Sequence, residues 1–581
     1  MLTAEDYLHI VRDRGRRGLP LADVYRQLFN PALYLHAYGK IHANAGAMTP
    51  GSTTETADGM SLRKIQAIIA LLRQEKYRWT PVRRVYIEKK HSTKKRPLGV
   101  PTWSDKLLQE VIRLIFEAYY EPQFSPTAHG FRPNRGRGTA LTEIYHTWKG
   151  TVWFIEGDIS ACFDSLDHDV LLSIIRERIH DNRFLRLIEN LLKAGYLEEW
   201  RYRKTLSGCP QGGIVSPILS NIYLDRLDKF VETTLLPAYN RGAKRKLNPA
   251  YRSLTRQLTR AHRQGQHDAA KRCRQLRRQQ PSVLLDDPDY RRLRYLRYAD
   301  DFLLGFTGPR SEAEAIREQL AVFLRDELRL ELSPTKTLIT HGRTEAARFL
   351  GYDLSVHHAD HALYAGQRTL TSGIALRVPH TVVTAAASRY MRNKKPIHRA
   401  ERLHDDVFTI IRGYEAEYRG IVEYYRMATN LHALNYLKLV MQTSLVKTLA
   451  AKLRISASQV YRRYAARYDG RKVLQVTITR EGKPPLQALW GKTDLVRRTT
   501  QDLNDAPRSP VGSHRNELVK RLLADTCELC GAQDHIEVHH IRALKDLKRP
   551  GRADKPQWMQ VMAARRRKTL VLCHACHGAV H

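Results

Sequence analysis

The stretch LRYLRYADDFLLGF, residues 293–306, decides the fold: it sets two apolar segments around the short polar tip YADD at 298–301. Two strands about a tight turn make a β-hairpin, and this one presents Asp300 and Asp301 at its tip. Adjacent carboxylates repel, so a turn carrying both needs a cation nearby. Upstream, VWFIEGDISACFD (152–164) is an apolar strand ending in Asp158, which can meet the hairpin tip from a neighbouring strand. Three converging carboxylates are what two Mg²⁺ ions require for in-line phosphoryl transfer.

The rest of the composition agrees with a polyanionic substrate. The chain has 581 residues, with Lys+Arg 97 against Asp+Glu 59 and a formal charge of +38. Such an excess repels itself in a compact state unless nucleic acid neutralises it. A basic structural protein is the alternative, but 42% hydrophobic content suits a folded enzyme. The length exceeds one hydrophobic core and predicts about three to five domains. Residues 1–17 are mixed and charged, without a secretory apolar segment. No run approaches the roughly 18 apolar residues of a membrane span. Four of the seven cysteines form two CxxC pairs near the C-terminus, a metal framework rather than a disulfide scaffold. Cys162, Cys209 and Cys273 lie outside it and receive no role.

Along the chain, residues 1–80 read as helical, with Leu62, Ile65, Ile68, Ile69 and Leu72 at spacings of three and four and a Gly/Thr/Ser-rich loop at 45–60. From 81 to 365, β-rich segments (85–87, 152–155, 303–306) alternate with amphipathic helices at 105–118 and 312–328, an α/β or α+β body. Residues 241–280 carry 13 Lys/Arg and one acidic residue, Asp268. With Leu254, Leu258 and Ala261 at helical spacing, this is a basic helical insertion, either on nucleic acid or a solvated arm. Residues 400–455 are helical again, a less periodic basic segment follows, and NDAPRSPVGS (504–513) reads as a linker.

The motifs, taken together, resemble those of group II intron-encoded proteins, which are reverse transcriptases and maturases. The matching segments stand in family order: RRVYIEKK (83–90), RPLGVPTWSDK (96–106), HGFRPNRG (129–136), GDISACFD (157–164), GCPQGGIVSPILSNIYL (208–224), YADD (298–301), LSPTKT (332–337) and FLGY (349–352). The resemblance implies a multidomain α+β fold: a right-hand polymerase of fingers, palm and thumb, with a helical N-terminal extension. A helical thumb/maturase domain and a C-terminal ββα-metal, zinc-binding nuclease domain complete it. Its boundaries fall at 1–80 (RNA-binding extension), 81–365 (fingers and palm, with the insertion at 240–292) and 366–459 (thumb/maturase). The DNA-binding region and linker cover 460–512, and the nuclease domain 513–581.

Residue by residue, the resemblance makes Asp158, Asp300 and Asp301 the Mg²⁺ triad. Lys89 and Arg96 match fingers cations around the incoming triphosphate. Gln211 matches a residue beside the nucleotide sugar and primer, and Lys336 a palm lysine near the site. Phe163 matches the aromatic that lies under the sugar and excludes a 2′-hydroxyl. NPALYLHAYGKIHANAGAMTPG (30–51) and GYEAEYRGIVEYYRMA (413–428) match regions that grip intron RNA. Tyr414, Tyr418, Tyr424 and Tyr425 read individually as packing residues.

At the C-terminus, CELC (527–530), EVHHI (537–541) and LVLCHACHGAVH (570–581) complete the pattern. Cys527, Cys530, Cys573 and Cys576 have the spacing of a tetrahedral Zn²⁺ site. His577 and His581 share one helical face, near the adjacent pair His539 and His540. This resembles the HNH nucleases. The match implies that His539, His577 and His581 hold a divalent ion and that His540 is the general base. The middle Asn of the motif is missing, with Thr569 nearby, so a zinc knuckle that binds DNA without cutting is the alternative. Basic residues 565–568, Arg542 and Arg549 are expected at the DNA backbone.

The resemblance thus implies an enzyme that binds its intron lariat RNA, promotes splicing, nicks target DNA and copies the RNA from the nick with dNTPs. The expected setting is the bacterial cytoplasm, on nucleoid DNA. A decayed, non-catalytic splicing factor and a reverse transcriptase outside any intron are the rivals. The intact triad speaks against the first, and the maturase and HNH segments against the second.

Overall fold

The computed structural model describes residues 2–44, 46–88, 95–199, 201–203, 205, 207–208, 212–284, 287–357, 363–364, 367–368, 372–500, 516–547 and 556–581. Its centre is a four-stranded sheet in the order Arg292–Tyr298, Asp301–Thr307, Trp153–Asp158, Ile339–His341. The first two strands are the expected hairpin. Both faces are buried, which is why the strands read as near-continuous apolar runs. Alternation then sorts the side chains. Ile155, Tyr295, Phe302, Leu304 and Phe306 enter one core, while Phe154, Leu296 and Leu303 enter another.

The first core joins this palm to the fingers, the N-terminal helices and the nuclease domain. Its axis is the helix Trp103–Tyr120, capped by the Thr102 hydroxyl, which accepts from the Asp105 amide at 3.4 Å. The helices Ala4–Arg16 and Pro31–Ile41 pack on it. The fingers add a sheet in the order Lys95–Val100, Val82–Glu88, Tyr196–Glu198, Arg201–Arg203.

The second core holds the helices Val407–Tyr424, Leu434–Leu453 and Ala457–Tyr464. Tyr414 and Tyr418 are fully buried there, and Tyr424 and Tyr425 donate to the carbonyls of Leu350 and Gly351, each at 3.1 Å. These four tyrosines are packing residues, as the sequence indicated. The basic segment after 460 differs from the expected loss of periodicity. It forms a three-stranded antiparallel sheet, Ala465–Tyr468, Arg471–Arg480 and Lys483–Trp490, whose Leu474, Ala488 and Trp490 enter the second core. Most positions of the two long strands are exposed, so their burial does not alternate.

The basic insertion is a helical hairpin, Pro249–Arg263 and His267–Gln279, closed by only Leu258, Ala261 and Ala270. No helix among the described residues is long and apolar enough to cross a membrane. The linker at 504–513 lies outside the described residues.

One buried ion pair fixes the hairpin. Arg297 meets Asp228 through two bonds, Nε to Oδ1 at 2.8 Å and Nη2 to Oδ2 at 2.6 Å, with both side chains at most 1% exposed. Tyr295 also donates to Asp228 (2.7 Å), and Arg297 donates onward to Asn221 (3.1 Å) and to the Ala299 carbonyl (2.8 Å). Ala299 needs that anchor, because its φ of +58° is unfavourable for a residue with a Cβ. From the other side the loop at 125–136 closes on the turn, through His129 N to Arg297 O and Arg297 N to Thr127 O. A Cβ on Gly130 would lie 2.2 Å from the Ala299 nitrogen, so glycine is required for that approach. Replacing Asp228 with Ala leaves a buried, unpaired guanidinium and is expected to cost about 3–5 kcal/mol. A lower urea midpoint, largely recovered in the double variant Asp228→Leu/Arg297→Met, is the outcome that checks it.

Candidate active sites in the palm and the nuclease domain

Asp158 and Asp301 are direct partners across adjacent strands, and Asp300 sits in the turn beside them. Like charges placed opposite each other destabilise a sheet, so this register needs a counter-cation. Burial, then the neighbouring Asp300 and Asp158, pushes the Asp301 carboxyl up to about 6. Burial and Asp158 raise that of Asp300 as well, while Arg96 and Lys336 oppose the rise. The Lys336 ammonium provides a partial answer by donating to both Asp158 oxygens, at 3.0 and 2.9 Å. The segment carrying Lys336 is tied to the carboxylate strand by Ser333 N to Asp158 O (2.8 Å) and Ser160 N to Glu331 O (2.9 Å). One monovalent cation beside three carboxylates that feel one another's charge leaves an excess that divalent ions fit.

Arg96 stands exposed on the fingers strand Lys95–Val100, near enough for its charge to act on Asp300 and Asp164. Phe163 is half-buried on the short turn of helix Cys162–Ser165, five residues past Asp158, edge-on to Phe131 at 6.3 Å. Lys89 and Gln211 lie outside the described residues.

In the nuclease domain, Ile536–His540 pairs antiparallel with Thr569–Cys573, and the helix His574–Val580 follows: a ββα unit. Cys527, Cys530, Cys573 and Cys576 converge with all sulfurs within 4.8 Å of one another. Cys530 and Cys573 sulfurs are 3.6 Å apart, close to the ~3.8 Å edge that Zn–S bonds of about 2.3 Å impose on a tetrahedron. Burial opposes ionisation of Cys527, but amides of Cys530, Cys573 and Leu529 bring its thiol down to about 6, into the thiolate form that metals take.

His539, His577 and His581 form the second cluster, joined by a residue that the sequence reading missed, Asp58. Asp58 Oδ1 lies 3.3 Å from both His539 Nδ1 and His577 Nε2, and Oδ2 lies 2.7 Å from His581 Nε2. Burial raises its carboxyl, but the imidazoles of His539 and His577 and the His540 amide outweigh this and hold it well below the usual range. His539 is 3% exposed, yet neither of its ring nitrogens has a hydrogen-bond partner. A buried, unbonded imidazole beside two more and a carboxylate fits a divalent ion. Glu537, also missed, bonds His577 Nδ1 at 2.8 Å, the outer carboxylate that orients such a ligand. No spacing in the sequence links Asp58 to a motif some 480 residues away.

His540 is directly opposite Thr569, which occupies the neighbourhood of the missing Asn. Burial, then the positive field of His42, pushes the His540 imidazole down to about 3, so it is a neutral proton acceptor at physiological pH. Its Nε2 is 2.8 Å from the Tyr38 hydroxyl. Among the basic residues expected at DNA, Arg565 and Arg567 pair with Glu528 and Glu517, Arg542 is exposed, and Arg549 lies outside the described residues.

Comparison with known proteins agrees with this division of labour. Residues 87–354 match the reverse transcriptase (RNA-dependent DNA polymerase) family, 377–484 the type II intron maturase family, and 527–577 the AI2M/AI1M-like HNH endonuclease family. The group II intron-encoded protein LtrA of Lactococcus lactis is 38% identical over 96% of this chain and 95% of its own. An uncharacterised 91 kDa protein in the cob intron of Schizosaccharomyces pombe is 33% identical over the whole chain and 71% of its own length. A nuclear intron maturase of Arabidopsis thaliana is 24% identical over 42% of this chain and 39% of its own. With one carboxylate hairpin in the palm, a maturase segment behind it and an HNH unit at the end, the chain belongs to the group II intron-encoded proteins: it is a reverse transcriptase and maturase with an HNH endonuclease domain.

Proposed function

We propose that the chain carries out retrohoming of the intron that encodes it. It binds the lariat RNA, promotes splicing, nicks one strand of target DNA, and copies the RNA into cDNA from the exposed 3′-hydroxyl using dNTPs. The observation that carries the polymerase half is the cross-strand register of Asp158 with Asp301, with Asp300 in the turn. That geometry concentrates charge where nothing but cations can relieve it.

Within this reading Asp158, Asp300 and Asp301 hold paired Mg²⁺. When bound, Mg²⁺ activates the primer hydroxyl and neutralises the triphosphate and its leaving group. Lys336, bonded to Asp158, would stand beside the nucleotide as a palm cation. Arg96 and Lys89 embrace the triphosphate, Gln211 lies beside sugar and primer, and Phe163 packs under the sugar. In the nuclease half, His539, His577 and His581 hold a divalent ion and His540 accepts a proton from the attacking water. Four cysteinates on Zn²⁺ hold that small domain together. When bound, the nuclease ion stabilises the scissile phosphate and the leaving 3′-oxygen.

The domain assignment follows the same lines: RNA-binding extension at 1–80, fingers and palm at 81–365, thumb/maturase at 366–459, DNA-binding region and linker at 460–512, nuclease at 513–581. The exposed cations of the 465–490 sheet and of the insertion hairpin support contact with phosphate backbones. The working location is the bacterial cytoplasm, on the nucleoid.

Asp300→Asn is expected to lower primer extension on RNA by at least ~1,000-fold, the loss of several kcal/mol of transition-state stabilisation. Retained binding of intron RNA by the same preparation distinguishes this from unfolding. Phe163→Ala is expected to raise incorporation of ribonucleotides relative to deoxynucleotides, by roughly 10-fold or more for a lost steric block, in a competitive single-nucleotide extension assay.

The pH response has a definite sign. Asp301 lies near 6 in the folded, metal-free protein against an ordinary 3.8. Its proton therefore stabilises the fold fully below about pH 4, and that contribution is lost as pH rises through about 6. Protons and Mg²⁺ compete for the same oxygens. The Mg²⁺ concentration giving half-maximal extension should rise steadily as pH is lowered through 6, and a flat dependence would reject Asp301 as the titrating ligand.

A further inference from the structure

The nuclease cluster contains a ligand from the opposite end of the chain. Asp58 belongs to a turn in the N-terminal extension, and that turn lies along the outer edge of the nuclease strand Ile536–His540. Gly59 N donates to Val538 O at 3.0 Å, and Val538 N donates to Met60 O at 2.9 Å, so the turn joins the ββα unit through one antiparallel bridge. The His540 amide donates to Asp58 Oδ1 at 2.7 Å. The two Asp58 oxygens then meet His577 and His581, beside the buried His539. Neighbouring elements hold the turn in place. Met60 is fully buried and accepts from Trp103 Nε1 at 3.4 Å, and Lys64 pairs with Glu55 at 3.4 Å.

We propose that Asp58 is a fourth ligand of the nuclease metal and that, in supplying it, the N-terminal turn occupies the position of the scissile phosphate and holds the nuclease shut. This rests on the reading of His539, His577 and His581 as metal ligands. At a four-coordinate ion a catalytic site keeps one position open for substrate, and a fourth protein ligand fills it. A carboxylate bonded by a backbone amide and lying 2.7–3.3 Å from three imidazoles is an anion among the groups that would hold a phosphodiester oxygen. The second observation is independent of the metal. The Tyr38 hydroxyl covers His540 Nε2, and His540 is 6% exposed, so the proposed base has no room for an attacking water. Tyr38 and Asp58 both belong to the extension that the family resemblance assigns to RNA. Displacement of this extension from the nuclease domain would withdraw both blocking groups together.

The test uses the full-length protein in an Asp300→Asn background, which weakens ion binding in the palm, with Mn²⁺ as the probe, since this hard ion leaves a thiolate zinc site alone. Mn²⁺ binding is followed by the electron paramagnetic resonance signal of the free ion, and nicking by relaxation of supercoiled plasmid without RNA. Asp58→Ala is expected to weaken Mn²⁺ binding at this site by roughly 10-fold or more and to raise nicking by about 5-fold or more. Opposite movement of affinity and activity is the signature of a blocking ligand. Asp58→Asn, which keeps size and hydrogen bonding, should show the same pair of changes if the Ala variant folds poorly. Should affinity and nicking fall together, Asp58 serves the reaction and the proposal is overturned; it is overturned equally if neither moves. His577→Ala separates the two layers: unchanged Mn²⁺ binding in that variant rejects the underlying metal site rather than the role of Asp58.

Discussion

Concentrated negative charge at one end of a buried sheet is the constraint from which the polymerase half of this protein follows. Asp158 and Asp301 face each other across two strands, with Asp300 in the adjoining turn, and burial deepens their repulsion. A chain will keep such an arrangement only where rigid surroundings force it and cations relieve it. The rigidity comes from the Arg297–Asp228 pair, which reaches the Ala299 carbonyl from below, and from the Gly130 loop, which closes on the turn from the side. In the free protein the relief is Lys336. The sheet's two buried faces extend the constraint outward, since one carries the fingers and N-terminal helices and the other the thumb.

The nuclease domain solves a similar problem with a different donor set. Its strands share the first core with the fingers and N-terminal helices, and the four cysteine sulfurs converge within the domain. The histidine cluster shows the same economy, with His539 buried and unbonded at its centre and Glu537 behind His577. The hard, oxygen-rich palm site and the softer nitrogen and sulfur sites suit different ions, so one chain can keep two phosphodiester chemistries apart.

The N-terminal extension gains a structural role from this arrangement. Its helix Pro31–Ile41 packs on the long helix Trp103–Tyr120 and also touches the helix Asn516–Leu523 of the nuclease domain. Tyr34 and Tyr38, which look like base-stacking aromatics in the sequence, are fully buried. Residues in the segment that the family resemblance assigns to RNA are here packed against protein.

Much of this was legible in the sequence. The hairpin at 293–306, the strand ending in Asp158, the paired CxxC motifs and the His577/His581 face all rest on short-range periodicity and spacing, which local backbone geometry enforces. Composition alone indicated the polyanionic partner. Other features depend on the folded molecule. At 465–490 the buried positions are few, and only packing of Leu474, Ala488 and Trp490 against the thumb helices shows which face is inward. The Arg297–Asp228 lock, the Lys336–Asp158 bond and the arrival of Asp58 among the nuclease histidines join residues separated by 69, 178 and some 480 positions. Side chains so far apart leave no periodic trace, because their meeting is fixed by how whole elements pack rather than by any preference of the local chain.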